Sequence, residues 1–201
     1  HRDTIDKYYT KPEIAKQCID LVSLHYYIEN FDNVIEPSAG NGSFSKQIPN
    51  CKAYDIEPED KSIKKQDFLK LKKPKGTTII IGNPPFGRQS ATAKLFIKHA
   101  TEIAIVVAFI LPKSFKKTSF QASFPLNWHI EAEMDLPENS FTIDGTPHDV
   151  PCVFQIWELR DTDRVVPSFE KPDWFEYTTA DNADFSFRRV GVYAGKTSRD
   201  L

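Results

Sequence analysis

The apolar, β-branched run Thr77-Thr78-Ile79-Ile80-Ile81 opens almost directly onto Asn83-Pro84-Pro85-Phe86. Such a run reads as a buried strand, so the loop after it lies at a strand's carboxyl end, where open α/β sheets bind ligands. Asparagine followed by two prolines makes a stiff backbone. Each ring fixes its own φ, and the residue before each proline is pushed towards extended geometry. Two acceptors, the Asn83 side-chain oxygen and the Pro84 carbonyl, can then be held pointing one way, with the planar ring of Phe86 beside them. A site of this kind suits a flat ring with an exocyclic amine. The alternative reading of the tetrapeptide is a rigid strand-to-loop turn.

Upstream, Asn33-Val34-Ile35-Glu36-Pro37-Ser38-Ala39-Gly40-Asn41-Gly42-Ser43-Phe44 reads as a short strand, a glycine turn and the start of a helix. Gly40 and Gly42 allow close backbone approach to a ligand, and Glu36 ends the strand. The spacing is not the GxGxxG of dinucleotide enzymes, which argues against a nicotinamide or flavin cofactor. About twenty residues on, Ala53-Tyr54-Asp55-Ile56-Glu57-Pro58 ends a second strand with an acid, the place that holds ribose hydroxyls in doubly wound folds. Asp67-Phe68-Leu69 adds a third acid with an aromatic, suited to an adenine amine and its ring.

Taken in order, EPSAGNGSF, YDIEP, QDFL and NPPF resemble motifs I to IV of S-adenosylmethionine-dependent N6-adenine methyltransferases, and Asp6-Lys7-Tyr8-Tyr9-Thr10-Lys11-Pro12 resembles their motif X, with Lys11 interrupting the Thr-Pro pair. The resemblance covers residues 6 to 160. It implies a Rossmann-like α/β methyltransferase fold with a mostly parallel seven-stranded sheet and an antiparallel last strand. S-adenosylmethionine is the implied cofactor, held by Tyr9, Thr10, Glu36, Pro37, Ala39, Gly40, Gly42, Phe44, Asp55, Ile56, Asp67, Phe68 and Asn83. Asn83, Pro84, Pro85 and Phe86 become the catalytic loop. Phe86 would stack on the target base, with Lys113, Phe141 and His148 as further substrate contacts. The implied reaction is methylation of adenine N6 in DNA, on a flipped base. RNA adenine and a protein glutamine amide are the alternative acceptors, since release-factor methyltransferases share a close relative of NPPF. A cofactor-binding partner subunit that leaves its site unused is a further alternative, against which the complete NPPF argues.

At 201 residues with 40% hydrophobic and 27% charged residues, the chain can build one substantial core. Residues 1–160 are expected to form the methyltransferase domain, and 161–201 a short aromatic and basic extension. The absence of a long apolar stretch or leader in the given sequence points to an intracellular protein, cytoplasmic or at the nucleoid or nucleus. Cys18, Cys51 and Cys152 are odd in number and widely spaced, so they read as reduced core residues and not as metal ligands.

Periodicity predicts a helix over 11–30, strands near 33–36, 52–56, 77–82 and 103–111, and helices near 42–48 and 91–101. Residues 128–136 and 151–159 read as a terminal strand pair. The loop 138–149 is expected to be too long for a tight hairpin; the resemblance implies that it offers Phe141 to the other face of the flipped base, the alternative being that Phe141 plugs the loop against the core. Alternation over 184–193 suggests a strand.

The net charge is −2, modest for a partner of a polyanion. Lysines 61, 64, 65, 70, 72, 73 and 75 read as a solvated face. The Lys113–Lys117 segment is better placed for phosphate, being at the same sheet edge as NPPF. The tail after residue 160 is too short for a large target-recognition domain, which leaves room for a partner protein or a recognition element elsewhere.

Overall fold

The computed structural model describes residues 8–168, 173–189, 191, 192 and 194–199. Asp6 and Lys7 of motif X, and Val190 and Tyr193 of the expected strand 184–193, lie outside the described residues. The chain runs β1 (Tyr9–Thr10), α1 (Pro12–His25), β2 (Asn33–Glu36), β3 (Lys52–Asp55), β4 (Lys64–Lys65), β5 (Thr78–Gly82), α2 (Ala91–Ile103), β6 (Val106–Pro112), α3 (Thr118–Gln121), β7 (Trp128–Asp135), β8 (Phe141–Ile143), β9 (Thr146–His148), β10 (Cys152–Leu159), β11 (Ser186–Phe187) and β12 (Thr197–Ser198). Seven strands form one sheet in the order β4-β3-β2-β5-β6-β10-β7. The pairs β2–β3, β3–β4, β2–β5 and β5–β6 are parallel, and β10 inserts antiparallel between β6 and β7. This is the expected mostly parallel sheet with an antiparallel last strand.

Strand alternation sends the two faces of the sheet to different helices. Ile80, Val107, Phe109, Leu111, Val153 and Trp157 share a cluster with Ala93, Phe96, Ile97 and Ala100 of α2. Ile79, Ile81, Ala108, Ile110, Phe154 and Ile156 share the other with Ala15, Cys18 and Val22 of α1. Both faces of β5 and β6 are covered, as continuous apolar strands require. Cys18 and Cys152 lie in this second core, and burial raises both thiols.

Several elements depart from the periodicity. α1 starts at the proline predicted for its first turn but stops at His25, so Leu24 is exposed and not part of the buried face. The helix expected over 42–48 is one 3-10 turn, Ser45–Gln47, with Pro49 two residues beyond it. α2 continues to Ile103, whose side chain completes the helix's buried face, so β6 begins later than expected.

The first compact unit runs through Val166. Arg164 holds it there, its guanidinium donating to the carbonyls of Gln121 and Phe124 at 3.0 Å, of Trp128 at 2.9 Å and of Pro125. It also lies 5.3 Å from the Trp157 ring centre. The second unit, Pro167–Leu201, contains the β11–β12 pair. The expected strand is there only two residues long before Arg188 turns back to Lys196.

Candidate active site

The carboxyl ends of β2, β3 and β5 bring three sequence motifs together. At the end of β2, Glu36 is almost wholly buried, and its Oε2 accepts the Ser45 backbone N–H at 2.8 Å. Burial pushes its carboxyl up to about 7. Glu36 therefore pins the turn that follows the glycines. Gly40 has φ of 54°, and a Cβ there would lie 3.0 Å from the Tyr9 ring, so motif X crosses directly above this turn.

Asp55 organises the same turn. One carboxylate oxygen accepts from Gly40 N and the other from Glu57 N, both at 2.8 Å. The carboxylate stays partly exposed, with lone pairs left for hydroxyl donors. The neighbouring Ile56 is 54% exposed, an apolar surface beside it. Tyr9 reaches across to hydrogen-bond Glu59, and burial with that carboxylate raises its phenol. Ser43 Oγ donates to the Thr10 carbonyl at 2.6 Å, and Gln47 Nε2 to the Pro12 carbonyl at 2.9 Å. Motif X is thus stitched to the glycine turn through side chains that the sequence reading passed over.

At the end of β5, Asn83 stands next to the glycine turn because Ser38 Oγ donates to its backbone carbonyl at 2.9 Å. Asn83 Oδ1 is buried without a partner. Pro84 is buried, and Phe86 is half-buried between both core clusters. The Phe86 carbonyl accepts from Thr92 N and Ala93 N, tying the loop to the start of α2. Gly87 follows at φ of 68°, where a Cβ would overlap Thr92. Gln89 and Ser90 are also left-handed, at φ 53° and 61°. Backbone strain of this kind concentrates at functional loops.

Four expected contacts are corrected. Phe44 and Phe68 are each 1% exposed: Phe44 belongs to the α1-side core, and Phe68 stacks on Phe96 at 5.1 Å with His99 at its edge. Neither ring has a face left for adenine. Phe141 is wholly buried, because the loop does form a tight hairpin. Asp144 and Gly145, both with positive φ, make its two-residue turn, and β8 pairs with β1. Lys113 is held by Asp135 at 2.9 Å, and Lys116 by the same carboxylate at 2.6 Å with Glu133 at 3.5 Å, so both lysines of the phosphate patch have acidic partners.

Asp67 caps a short turn by accepting from Leu69 N at 3.0 Å. Pro37 and Ala39 are buried in the wall of the turn, and His148 is exposed on the hairpin, its ring 5.2 Å from that of Tyr8. All seven lysines of the 61–75 segment are exposed.

A strand-end glycine turn, an acid ending the strand on one side of it and an NPPF loop ending the strand on the other define the class I methyltransferase arrangement. The chain belongs to the EDM2 methyltransferase-like domain family, whose pattern matches residues 27–182. Solved structures share the fold. A Pyrococcus horikoshii protein described provisionally as an RNA methyltransferase is 16% identical, with TM-score 0.62 over 80% of this chain and 90% of that one. A Thermoplasma acidophilum protein is 16% identical, with TM-score 0.56 over 79% and 94%. The 23S rRNA methyltransferase ErmE is 15% identical, with TM-score 0.53 over 77% and 71%. No curated protein sequence matches the chain.

S-adenosylmethionine is the cofactor of this class, and the residues fit it. Thr10 Oγ1, like Asn83 Oδ1, is buried without a partner. Thr10 Oγ1, beside the turn that Ser43 ties to motif X, is the acceptor offered to the ammonium end of such a cofactor. Asp55 with Ile56 offers hydroxyl acceptors and apolar surface at the other end. Among the described residues no helix is long and apolar enough to cross a membrane, and no group of three His, Cys, Asp or Glu could hold a metal ion.

Proposed function

We propose that this chain methylates the N6 amine of an adenine presented unpaired in nucleic acid. The observation that carries the proposal is the buried, unpartnered Asn83 Oδ1 at the end of β5. An orphaned buried acceptor is costly, and an exocyclic amine supplies the missing donor.

Asn83 Oδ1 and the Pro84 carbonyl accept the two N–H bonds, and Phe86 stacks on the ring. Accepting both bonds favours the pyramidal nitrogen over the conjugated planar one and stabilises the positive charge that develops on it. Ser38 holds the loop in register with the cofactor turn. Bound S-adenosylmethionine supplies an electrophilic methyl on sulfur. The chain's own contribution is alignment of nitrogen with methyl and exclusion of water, which suffices for a single displacement.

Adenine over glutamine is favoured by Phe86, where the glutamine methyltransferases usually have tyrosine, and DNA is the first adenine acceptor of this reading. RNA adenine is a second reading, favoured by the RNA substrates in the names of two proteins of like fold. Lys113 and Lys116, already paired with acidic side chains, favour acceptors that need no opening of a duplex. Labelled methyl transfer to single-stranded DNA, duplex DNA, RNA and glutamine peptides, followed by nucleoside and amino-acid analysis, tests the proposal. N6-methyl-deoxyadenosine from single strands is expected. Label only in glutamine would overturn the adenine assignment.

A further inference from the structure

The Asn83 carboxamide has one neighbour from outside its own loop whose contact is defined: its Nδ2 reaches the Tyr8 carbonyl at 3.5 Å. The backbone of Tyr8 therefore lies against the side chain meant to receive the acceptor amine. The ring of Tyr8 is half-buried and rests on two others. It meets Phe141 edge-on at 6.3 Å and His148 at 5.2 Å and 41°. Those two rings come from β8 and β9 of the hairpin. Pairing of Tyr9 with Thr142 and Thr10 with Phe141 fixes the register, so the chain leading back to Tyr8 is set by the sheet. Tyr8 and Phe86 are both partly buried against the same core cluster, which also contains Phe141.

We propose that Tyr8 is a substrate-contacting residue of the acceptor site, its ring forming with Phe86 the aromatic walls that hold the acceptor base. The proposal rests on the adenine-methylation reading above. The hairpin then acts on substrate through Tyr8, with Phe141 and His148 behind it. Two aromatic walls select for a planar acceptor: a purine stacks on both, whereas a glutamine side chain gains little from the second. The weak Nδ2 contact at 3.5 Å is at the limit of a hydrogen bond. That contact occupies the amide nitrogen and leaves Asn83 Oδ1, which has no partner, for the amine.

The test uses the whole chain and a single-stranded oligonucleotide with one adenine, alongside the same strand carrying 2-aminopurine at that position as a stacking probe. Tyr8→Ala should raise the KM for the oligonucleotide about tenfold and reduce quenching of 2-aminopurine to what the Phe86 wall alone gives. S-adenosylmethionine affinity by calorimetry and kcat should stay within twofold. Tyr8→Phe should restore both KM and quenching, because the ring and not the hydroxyl is the contact. Should Tyr8→Ala fail to fold, Tyr8→Leu fills the position without an aromatic face and carries the same expectation. An unchanged KM in either variant, or failure of Tyr8→Phe to restore it, would overturn the role of Tyr8 while leaving adenine methylation standing. A wild-type chain that binds S-adenosylmethionine and methylates no adenine would overturn the function, and this contact with it.

Discussion

Replacing Asp55 by alanine should weaken the fold as well as cofactor binding. Sequence alone assigns Asp55 to ribose, a contact whose loss would weaken only cofactor binding. In the structure, however, its two oxygens each accept a backbone N–H at 2.8 Å, from Gly40 and from Glu57. Hydrogen bonds to charged groups contribute about 1.5–3 kcal/mol each. The carboxylate is partly exposed, so water recovers some of this, and a net loss of ~2–3 kcal/mol is expected. For a unit of this size each kcal/mol moves Tm by roughly 2–4 °C, which puts the shift at about 4–12 °C. Asp55→Asn keeps one acceptor oxygen and should lose about half as much. Thermal and urea unfolding, each with and without S-adenosylmethionine, separate the two roles. The alanine variant should melt early and show no stabilisation by the cofactor. An Asp55→Ala variant that melts with the wild type would refute the claim that this carboxylate builds the turn.

Ser38→Ala should slow methyl transfer about tenfold with cofactor affinity unchanged, since the hydroxyl touches only the Asn83 carbonyl; steady-state kinetics beside calorimetry read both. Glu36 gives a pH signature. Its folded carboxyl titrates at about 7, above the ordinary value of 4.5, so burial favours the protonated form. Its contribution is fully present below the ordinary value and is lost as pH rises through 7. Wild-type stability should fall by roughly 3 kcal/mol between pH 4.5 and 8 relative to Glu36→Gln, and denaturant unfolding across that range checks it. Arg164→Ala should cost about 2–4 kcal/mol by removing the guanidinium's hydrogen bonds to four carbonyls. Arg164→Lys should recover little of it, because one ammonium cannot span the same carbonyls.

The sheet was legible because its signal is local. Continuous apolar runs at 78–82 and 106–111 could only be strands covered on both faces, and strand-end acids and glycines marked the ligand edge. The loop positions were legible as well, since NPPF follows its strand directly. What stayed hidden depends on contacts between distant segments. Phe44, Phe68 and Phe141 sit beside motif residues, but whether such a ring faces a ligand or the core is decided by partners such as Phe96, far away in sequence. The Asp144-Gly145 pair was a local signal for a hairpin, obscured by reading the loop at its full length. The Lys113–Asp135 pair joins the turn after β6 to the end of β7 across the intervening β10, an arrangement only the topology reveals. Ser38 and Tyr8 meet Asn83 through a hydroxyl and a backbone carbonyl that no spacing rule selects.

The central claim is that an orphaned amide oxygen at the end of β5 receives an adenine amine. It is tested most directly by methyl transfer from labelled S-adenosylmethionine to single-stranded oligonucleotides, comparing the wild type with Asn83→Ala and calorimetry of cofactor binding to each. The wild type should yield N6-methyladenine. The variant should lose about 3–4 kcal/mol of transition-state stabilisation, a rate loss of two to three orders of magnitude, while binding the cofactor within about threefold of wild type. Equal rates from the two proteins, or a variant that loses cofactor binding along with activity, would contradict the account.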